Sequence, residues 1–472
     1  MVNRIRARSQ AANTIEGQLR HSLSEGTRSA EALQQVLGVS QPTLSRTIQE
    51  ASRFVLKIRL AGQRTPVYGL VRALARAGSQ QPLYAVDESG AVHAVGTVAL
   101  LAGGQSLVVS NTQRRQLFDG LPPAMTFAGP SGFLGRQVAI QAARRIGVPA
   151  SLADWSDDDK ATYLFTLETD APGNLVFGDA PLAELLEQRK ARPVVQPRDK
   201  AKAYVRCTEE SLHAVVGSSA GGHQPKFTCE TTDLGHVIVK FAKQGSRMAD
   251  LLVLEHLALS SLAAEGMPAA NTQILQAGGM MLLESQRFDR VGRFGRKGVI
   301  SAGSFDDEHF GHRDSWSAFA DRCVQAHLLA QTQADIIRTF AAFSELIGNT
   351  DTHFENLSLM VDAGGRPLAT APAYDLLPMK YASEGAGMDP SLTPLSPKLG
   401  AIGVRPGVWN VAFAAARTFW EGAARDARLS KPMRALATKN LAIVTDFVQP
   451  LVPVAAAVAA PARNRSRPRS GR

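Results

Sequence analysis

The chain has 472 residues, 44% of them hydrophobic, and a formal net charge of +10, which is room for about three globular domains of ordinary size. Three widely spaced cysteines, Cys207, Cys229 and Cys323, argue against a disulfide framework or a zinc ligand set and point to reduced thiols. Arg4, Arg6 and Arg8 precede no apolar run, and the apolar stretch from Leu451 to Ala460 is too short to span a bilayer; no signal peptide and no membrane span are expected, only a soluble cytoplasmic protein.

The positive charge sits at the two ends. Residues 1–60 hold nine basic and four acidic side chains, Arg463, Arg465, Arg467, Arg469 and Arg472 supply the rest of the excess, and the residues between carry 38 of each sign. Localised positive charge is the footprint of contacts to a phosphate backbone, although residues 455–472 also fit a solvated, disordered basic tail. From Ser29 to Leu37 the apolar residues Ala32, Leu33, Val36 and Leu37 form a helical stripe. Gly38-Val39-Ser40 then makes a turn, and a second helix runs from Gln41 to Ala51 with Ser40 or Gln41 as cap, Pro42 in its first turn, and Leu44 and Ile48 facing inward. Its polar positions Gln41, Thr43, Ser45, Arg46 and Gln49 are the candidate DNA contacts, because the second helix of a helix-turn-helix reads base edges in the major groove. Phe54 to Leu60 and Val67 to Val71 form a hairpin, which makes residues 1–75 a winged version. Two short amphipathic helices with polar outer faces also fit a plain helical bundle.

Residues 80–185 read as a small mixed α/β unit to which no chemistry is assigned. Leu83–Val86 and Val92–Leu101 are strands around a glycine turn, a loop begins at Leu117, and a helix runs from about Gly135 to Ile146. A connector follows over 186–204, stiffened by Pro193 and Pro197.

Next comes a run of small residues, Gly217 to Gly222, followed by His223, Gln224 and Lys226. Unhindered backbone N–H groups in such a loop can approach phosphate oxygens, and the same composition also serves as a surface turn. Neither G-x-G-x-x-G nor G-x-x-x-x-G-K-[ST] is present. The strand from Gly235 to Phe241 carries Lys240, and the helix after it carries Glu255 as a candidate partner. Glu308-His309-Phe310-Gly311-His312 lacks metalloprotease spacing and reads as a loop turn.

Asp351 and Asn356 lie five apart in the polar stretch after Gly348, and Asp375 follows downstream. A phosphotransferase needs a carboxylate to accept the substrate proton, an amide oxygen one turn later for Mg²⁺, and a second carboxylate for the metal bridging the nucleotide phosphates. The pair alone also fits an ordinary Asx turn. His353 is read as orienting this loop. No Ser-x-x-Lys or Gly-x-Ser-x-Gly nucleophile motif occurs, which weakens hydrolase readings.

Four blocks together resemble the HipA-type serine/threonine kinases of bacterial toxin–antitoxin systems: Ser218–Gly222 through Lys226, Gln286–Arg290, Gly348–Asn356, and Tyr374-Asp375. With its amino-terminal segment the chain is more similar to the YjjJ-type branch than to HipA itself. The resemblance implies an α+β architecture: a bilobal HipA-like kinase core over 205–445, a small mixed α/β subdomain before it, and the winged helix-turn-helix at the amino end. It implies ATP and Mg²⁺ as cofactors, Asp351 as catalytic base, and Asn356 and Asp375 as metal ligands. Lys240, Ala220, Gly221, Gly222, Gln224, Lys226, His353 and Tyr374 would surround the nucleotide, with Gln286 and Phe288 gripping adenine and Ser218 as the autophosphorylation candidate. His223 departs from the pattern, since similar sequences carry an acidic residue there, and Leu376-Leu377 replaces the Phe-Gly of ordinary protein kinases. The implied partners are a protein substrate, by analogy a translation factor, DNA, an antitoxin, and a second copy in a homodimer. The competing expectation is a transcriptional regulator whose kinase-like half binds nucleotide without transferring phosphate.

Overall fold

Helix α1 (Ile15–Leu23) is the first element among the residues that the computed structural model describes, 14–191, 193–215, 224–383 and 389–452. A short strand β1 (Arg28–Ser29) leads into α2 (Ala30–Leu37), where the Ser29 hydroxyl accepts from the Ala32 N–H at 3.2 Å. Gly38 ends α2 in the left-handed region at φ 64, a conformation glycine adopts without a Cβ clash. After α3 (Gln41–Glu50), strands β2 (Val55–Ile58) and β3 (Val67–Leu70) form a hairpin, and β3 also pairs with β1, giving the order β1-β3-β2. Leu19, Leu23, Leu33, Leu37, Leu44 and Phe54 close the core beneath them. Two positions differ from expectation. Val36 is 59% exposed, because Leu33 and Leu37 set the buried stripe and Val36 falls one helical step off it. In α3 the buried partner of Leu44 is Thr47, whose hydroxyl donates to Thr43 O at 3.1 Å, while Ile48 is only half-buried.

The middle unit is an antiparallel sheet of β4 (Gln80–Val86), β5 (Val92–Leu100), β6 (Gln105–Ser110), β7 (Arg115–Asp119) and β8 (Leu175–Phe177) in the order β7-β6-β5-β4-β8. Helices α4 (Pro123–Ala128), α5 (Gly132–Ile146), α6 (Asp157–Thr166) and α7 (Asp179–Ala191) accompany it. The loop expected from Leu117 is instead strand β7, paired Leu117↔Leu107. With only two apolar residues its alternation is too short to read in sequence. The connector expected over 186–204 is shorter, since residues 186–191 finish α7 and α8 (Lys200–Val215) starts at Lys200. Lys200 is pinned there by its Nζ, 2.8 Å from both Asp233 and the fully buried Glu284.

In the C-terminal unit, β9 (Lys226–Thr231), β10 (Gly235–Lys243), β11 (Thr272–Ala277) and β12 (Met280–Gln286) build an antiparallel sheet in the order β11-β12-β10-β9. Helix α9 (Arg247–Ala264) is apolar nearly all round, as a helix covered on several sides must be; it packs against β10 and β12, with Leu251, Leu252, Val253, Leu254 and Leu259 buried. A hairpin of β13 (Arg290–Val291) and β14 (Gly295–Arg296) links to β15 (Gly298–Ser301) and α10 (Ala302–His309). Glu308 and His309 therefore end a helix instead of turning in a loop. Helices α11 (Trp316–Gln325) and α12 (Gln331–Ile347), strands β16 (Ser358–Val361) and β17 (Pro367–Thr370), and helices α13 (Pro406–Arg425) and α14 (Lys431–Val448) complete a second, mainly helical lobe. Its core continues through α9 and includes the fully buried Trp409, Trp420, Phe343 and Phe419. Each of the two phenylalanines contributes about 1.5–3 kcal/mol on burial. The chain is thus a mixed α/β protein. Among the described residues no helix is long and apolar enough to cross a membrane.

Candidate active site

Strand alternation places Lys240. Val237, Val239 and Phe241 point into one apolar cluster with Tyr204 and Phe227, so Lys240 emerges on the opposite face, toward α9. Glu255 on α9 meets it there: Lys240 Nζ donates to Glu255 Oε1 at 2.6 Å and Oε2 at 2.7 Å, and also to Asp375 Oδ1. Lys240 and Glu255 are buried, whereas Asp375 is about one-third exposed. Lys226 stands directly across from Lys240 in the β9–β10 register. Burial lowers the proton affinity of both lysines; Glu255 opposes the shift, and for Lys240 the neighbouring ammonium of Lys226 adds to it. Two lysines on paired strands are thus set beside two carboxylates, Glu255 and Asp375.

Helix α12 stops at Gly348, left-handed at φ 77, and the chain turns into the Asp351 loop. Asn349 Oδ1 accepts from Asp351 N–H at 3.1 Å, so an Asx turn does exist here, made by Asn349. Asn356 Nδ2 donates to Asp351 O at 3.0 Å and lies 3.4 Å from Asp351 Oδ2, which leaves Asn356 Oδ1 as the amide's remaining acceptor. His353 Nε2 is 3.6 Å from Asp351 Oδ1, and its Nδ1 is 3.5 Å from Glu355 Oε2. Glu355 in turn accepts from Arg313 Nη1 at 2.7 Å, and Arg313 grips Asp307 through Nε and Nη2 at 2.7 and 2.6 Å. Phe354 anchors the loop, buried edge-on against Phe319 at 5.6 Å. Asp351 itself keeps 43% of its side chain exposed.

Tyr374 joins the two halves. Its hydroxyl donates to Glu355 O at 2.6 Å and lies 2.7 Å from Ser358 Oγ, while its ring sits 5.7 Å from Phe288. Burial raises the Tyr374 phenol well above its ordinary range. The next residue, Asp375, has φ 52, an uncommon conformation for a residue with a Cβ, and such outliers gather at functional sites. Gln286, at the end of β12, is engaged by Asn271, through its backbone N–H at 2.8 Å and its Oε1 at 3.4 Å. Gln224 Nε2 donates to Phe241 O at 2.6 Å, and its buried Oε1 has no partner among the described residues. Ser218, Ala220, Gly221, Gly222 and His223 lie outside the described residues. Far from this cluster, Gln41, Ser45, Arg46 and Gln49 are exposed on α3 and Thr43 is half-buried.

Sequence reasoning missed a second ionic cluster. Around Phe288, Arg287 and Arg290 both engage Asp289 and Asp170: Arg287 at 3.0 Å to each, Arg290 at 2.6 and 2.8 Å respectively. Gly173 N–H adds a bond to Asp289 Oδ2 at 2.9 Å. Burial opposes ionisation of Asp289, but the two guanidiniums outweigh it and hold its carboxyl at about 2. This cluster fastens the middle unit to the segment after β12. Only the alternation of charges in Gln286-Arg287-Phe288-Asp289-Arg290 hinted at a second role for that block.

Family models for the YjjJ-like toxin middle domain and for the HipA-like C-terminal domain match residues 77–186 and 218–437. Toxin YjjJ of Escherichia coli is 32% identical over 427 residues, covering 88% of this chain and 94% of that protein. Among solved structures, the Shewanella oneidensis toxin HipA, in a complex with HipB and operator DNA, has TM-score 0.47 at 14% identity, over 78% of this chain and 97% of its own. The Helicobacter pylori proinflammatory kinase CtkA has TM-score 0.33 at 11% identity, over 48% of this chain and 89% of its own. The length and level of identity shared with Toxin YjjJ, with both family matches in chain order, mean that the chain belongs to the YjjJ-like toxin family and carries its HipA-like C-terminal domain.

Proposed function

We propose that the chain is a protein serine/threonine kinase using ATP and Mg²⁺, with a bilobal HipA-like kinase core over 205–445. The observation that carries this reading is the meeting of Lys240 with both Glu255 and Asp375, one tyrosine away from the loop that ties Asn356 to Asp351. Phosphoryl transfer asks for positioning and charge stabilisation more than for covalent chemistry. Lys240 and Lys226 face the phosphates. Asn356 Oδ1 and Asp375 would hold Mg²⁺, which supplies neutralisation of phosphate charge when bound. The residues fit that ion: Asn356 spends its Nδ2 on Asp351 and keeps Oδ1 as acceptor, Asp375 is about one-third exposed, and Mg²⁺ characteristically takes one or two protein oxygens and completes its shell with phosphate and water. A serine or threonine hydroxyl oxygen of a cellular protein bonds to the γ-phosphorus, the bond to the β–γ bridging oxygen breaks, Asp351 takes the hydroxyl proton, and ADP leaves.

The amino-terminal unit adds DNA binding in cis. The order helix, strand, helix, helix, strand, strand, with β1 joining the hairpin sheet, supports a winged helix-turn-helix whose α3 enters the major groove. Autoregulation of expression is the corresponding role. One observation favours the competing reading of a nucleotide-binding regulator without transferase activity: Asp375 Oδ1 is already engaged by Lys240.

One experiment separates them. Purified protein and Asp351→Asn are incubated with Mg-ATP, read by intact mass and by labelled phosphate transfer into a cell extract. Phosphate on the chain or on an extract protein with the unaltered chain alone is the expected result. ATP binding with no transfer in either sample would overturn the kinase reading.

A further inference from the structure

Strand β7 is the last strand of its sheet and pairs only with β6. Ser110 N–H donates to Arg114 O and Gly120 N–H to Gly104 O, both at 2.9 Å. An antiparallel ladder alternates, so the N–H and C=O groups of Arg115, Leu117 and Asp119 point away from β6, where they meet no hydrogen-bond partner among the described residues. Natural edges are often blunted by a proline, a bulge or a covering element. β7 has no proline and an unbroken register with β6, and it is flanked instead of covered. It lines an open groove of about 740 Å³ together with the loop that joins β2 to β3, through Leu60, Ala61 and Gln63, and with α10, through Asp307, Glu308 and His309. Leu117 and Leu60 pack on the same apolar cluster at one face of the sheet, and Gln116 Nε2 reaches Glu308 Oε1 at 3.3 Å on the other. The open edge therefore lies between two walls. Phe118, on the α10 side, is half-buried and belongs to none of the apolar clusters.

A row of unpaired backbone donors and acceptors at strand spacing is matched by another extended backbone. We propose that an extended segment of the protein substrate adds to β7 as an antiparallel strand in this groove; the partner's role as substrate rests on the kinase reading. Charge and polarity set the chemistry of that segment. Arg115 and Asp119 stand on one face of β7, about 13 Å apart at strand rise. Neither forms an ion pair among the described residues; Asp119 accepts only from Gln105 Nε2 at 2.8 Å. Directly opposed side chains share a face of an antiparallel pair, so the segment carries an acid against Arg115, a base four residues away against Asp119, and an apolar side chain on the other face against Phe118. A second β7 would present the same charges, but each edge lies within its own groove, and a two-fold axis would set loop against loop and α10 against α10. A single strand meets no such obstruction. The groove also adjoins the candidate active site: Asp307 on its α10 wall is held by Arg313, which reaches Glu355 of the Asp351 loop at 2.7 Å.

The probe is a fluorescein-labelled peptide Lys-Val-Thr-Val-Glu, capped by glycines, whose lysine and glutamate oppose Asp119 and Arg115. Fluorescence anisotropy should show saturable binding to the full chain without ATP. N-methylation at the threonine removes an N–H aimed at Leu117 and should weaken binding about ten-fold, the scale of one to two backbone hydrogen bonds. The same change at the first valine, whose N–H points away from β7, should leave binding nearly unaltered. Arg115→Glu should weaken this peptide and favour the counterpart with lysine in place of glutamate, an exchange that a misfolded variant cannot produce. Excess peptide should also lower labelling of extract proteins by the unaltered chain. Binding is read on Asp351→Asn as well: the methylation pattern in a chain that transfers no phosphate would sink the kinase reading and leave strand addition standing. Equal binding of the two methylated peptides, no saturable binding, or a dimer that dissociates as peptide is added would overturn the proposal.

Discussion

Asp289 and Asp351 sit in the same C-terminal unit and are treated in opposite ways. Asp289 is buried, gripped by two guanidiniums and a backbone N–H, and has little left to offer a ligand. Asp351 is 43% exposed, touched by one neutral amide and by an imidazole 3.6 Å away. Low dielectric makes an unpaired buried carboxylate costly, so a structural one is saturated by its neighbours. A carboxylate that must take a proton from a substrate has to keep an oxygen accessible. On the proposed kinase reading, the contrast is that between a joint and a site.

Replacing each carboxylate by its amide tests that contrast most severely. Asp351→Asn should lower phosphate transfer by about 10²–10⁴-fold, the span of general-base catalysis, with unfolding stability unchanged within about 0.5 kcal/mol. Radiolabel transfer and a denaturant curve on the same preparation read both quantities. A large stability loss would make Asp351 structural. Asp289→Asn should do the reverse, costing roughly 3–5 kcal/mol by leaving two buried guanidiniums short of a partner, seen as faster proteolysis between the middle and C-terminal units. Its pH signature has a definite sign. The Asp289 carboxyl is depressed from 3.8 to about 2, so its stabilisation is present above about pH 4 and is lost as pH falls toward 2. The variant should lack that acid-side step.

The same pair shows what a sequence exposes. Asp351, Asn356 and His353 fall within one short loop, and their hydrogen bonds run over two to five residues, so local spacing suffices to group them. Lys240 and Glu255 are separable into a strand and the helix after it, and their contact follows from that order. Asp289 is bonded to Gly173 and shares its arginines with Asp170, more than a hundred residues earlier; no pattern in a single chain announces such a contact. Smaller misses have local causes. Val36 lost its expected burial to helix phase, and strand β7 hid behind an apolar content of two residues, Leu117 and Phe118.

Glu355 offers a finer cut. It bridges Arg313 and His353 without reaching Asp351, which on the proposed kinase reading would make it a positioning residue: Glu355→Gln should then reduce kcat about ten-fold at nearly constant KM for the protein substrate, while leaving ATP affinity alone. Such loss is the scale expected when a loop is misplaced and no proton-accepting group is removed. A rise in KM with kcat unchanged would move Glu355 into substrate binding.

The rule for carboxylates extends to arginines, and the amino-terminal unit is where it predicts the smallest effect. Arg338 is 2% exposed and paired with Asp335 at 2.6 Å and with Asp321, so it belongs to the fold. Arg46 is exposed on α3 and makes no ion pair among the described residues, which leaves its charge available to a phosphate. Each phosphate neutralised by a protein cation contributes close to one unit to the slope of log affinity against log salt. Arg46→Ala should therefore weaken binding to a mixed-sequence duplex several-fold at low salt and flatten that slope by about one, with no change in Tm. Unaltered affinity and slope would remove α3 from the DNA interface, and Arg46 would join the many surface charges whose exposure carries no function.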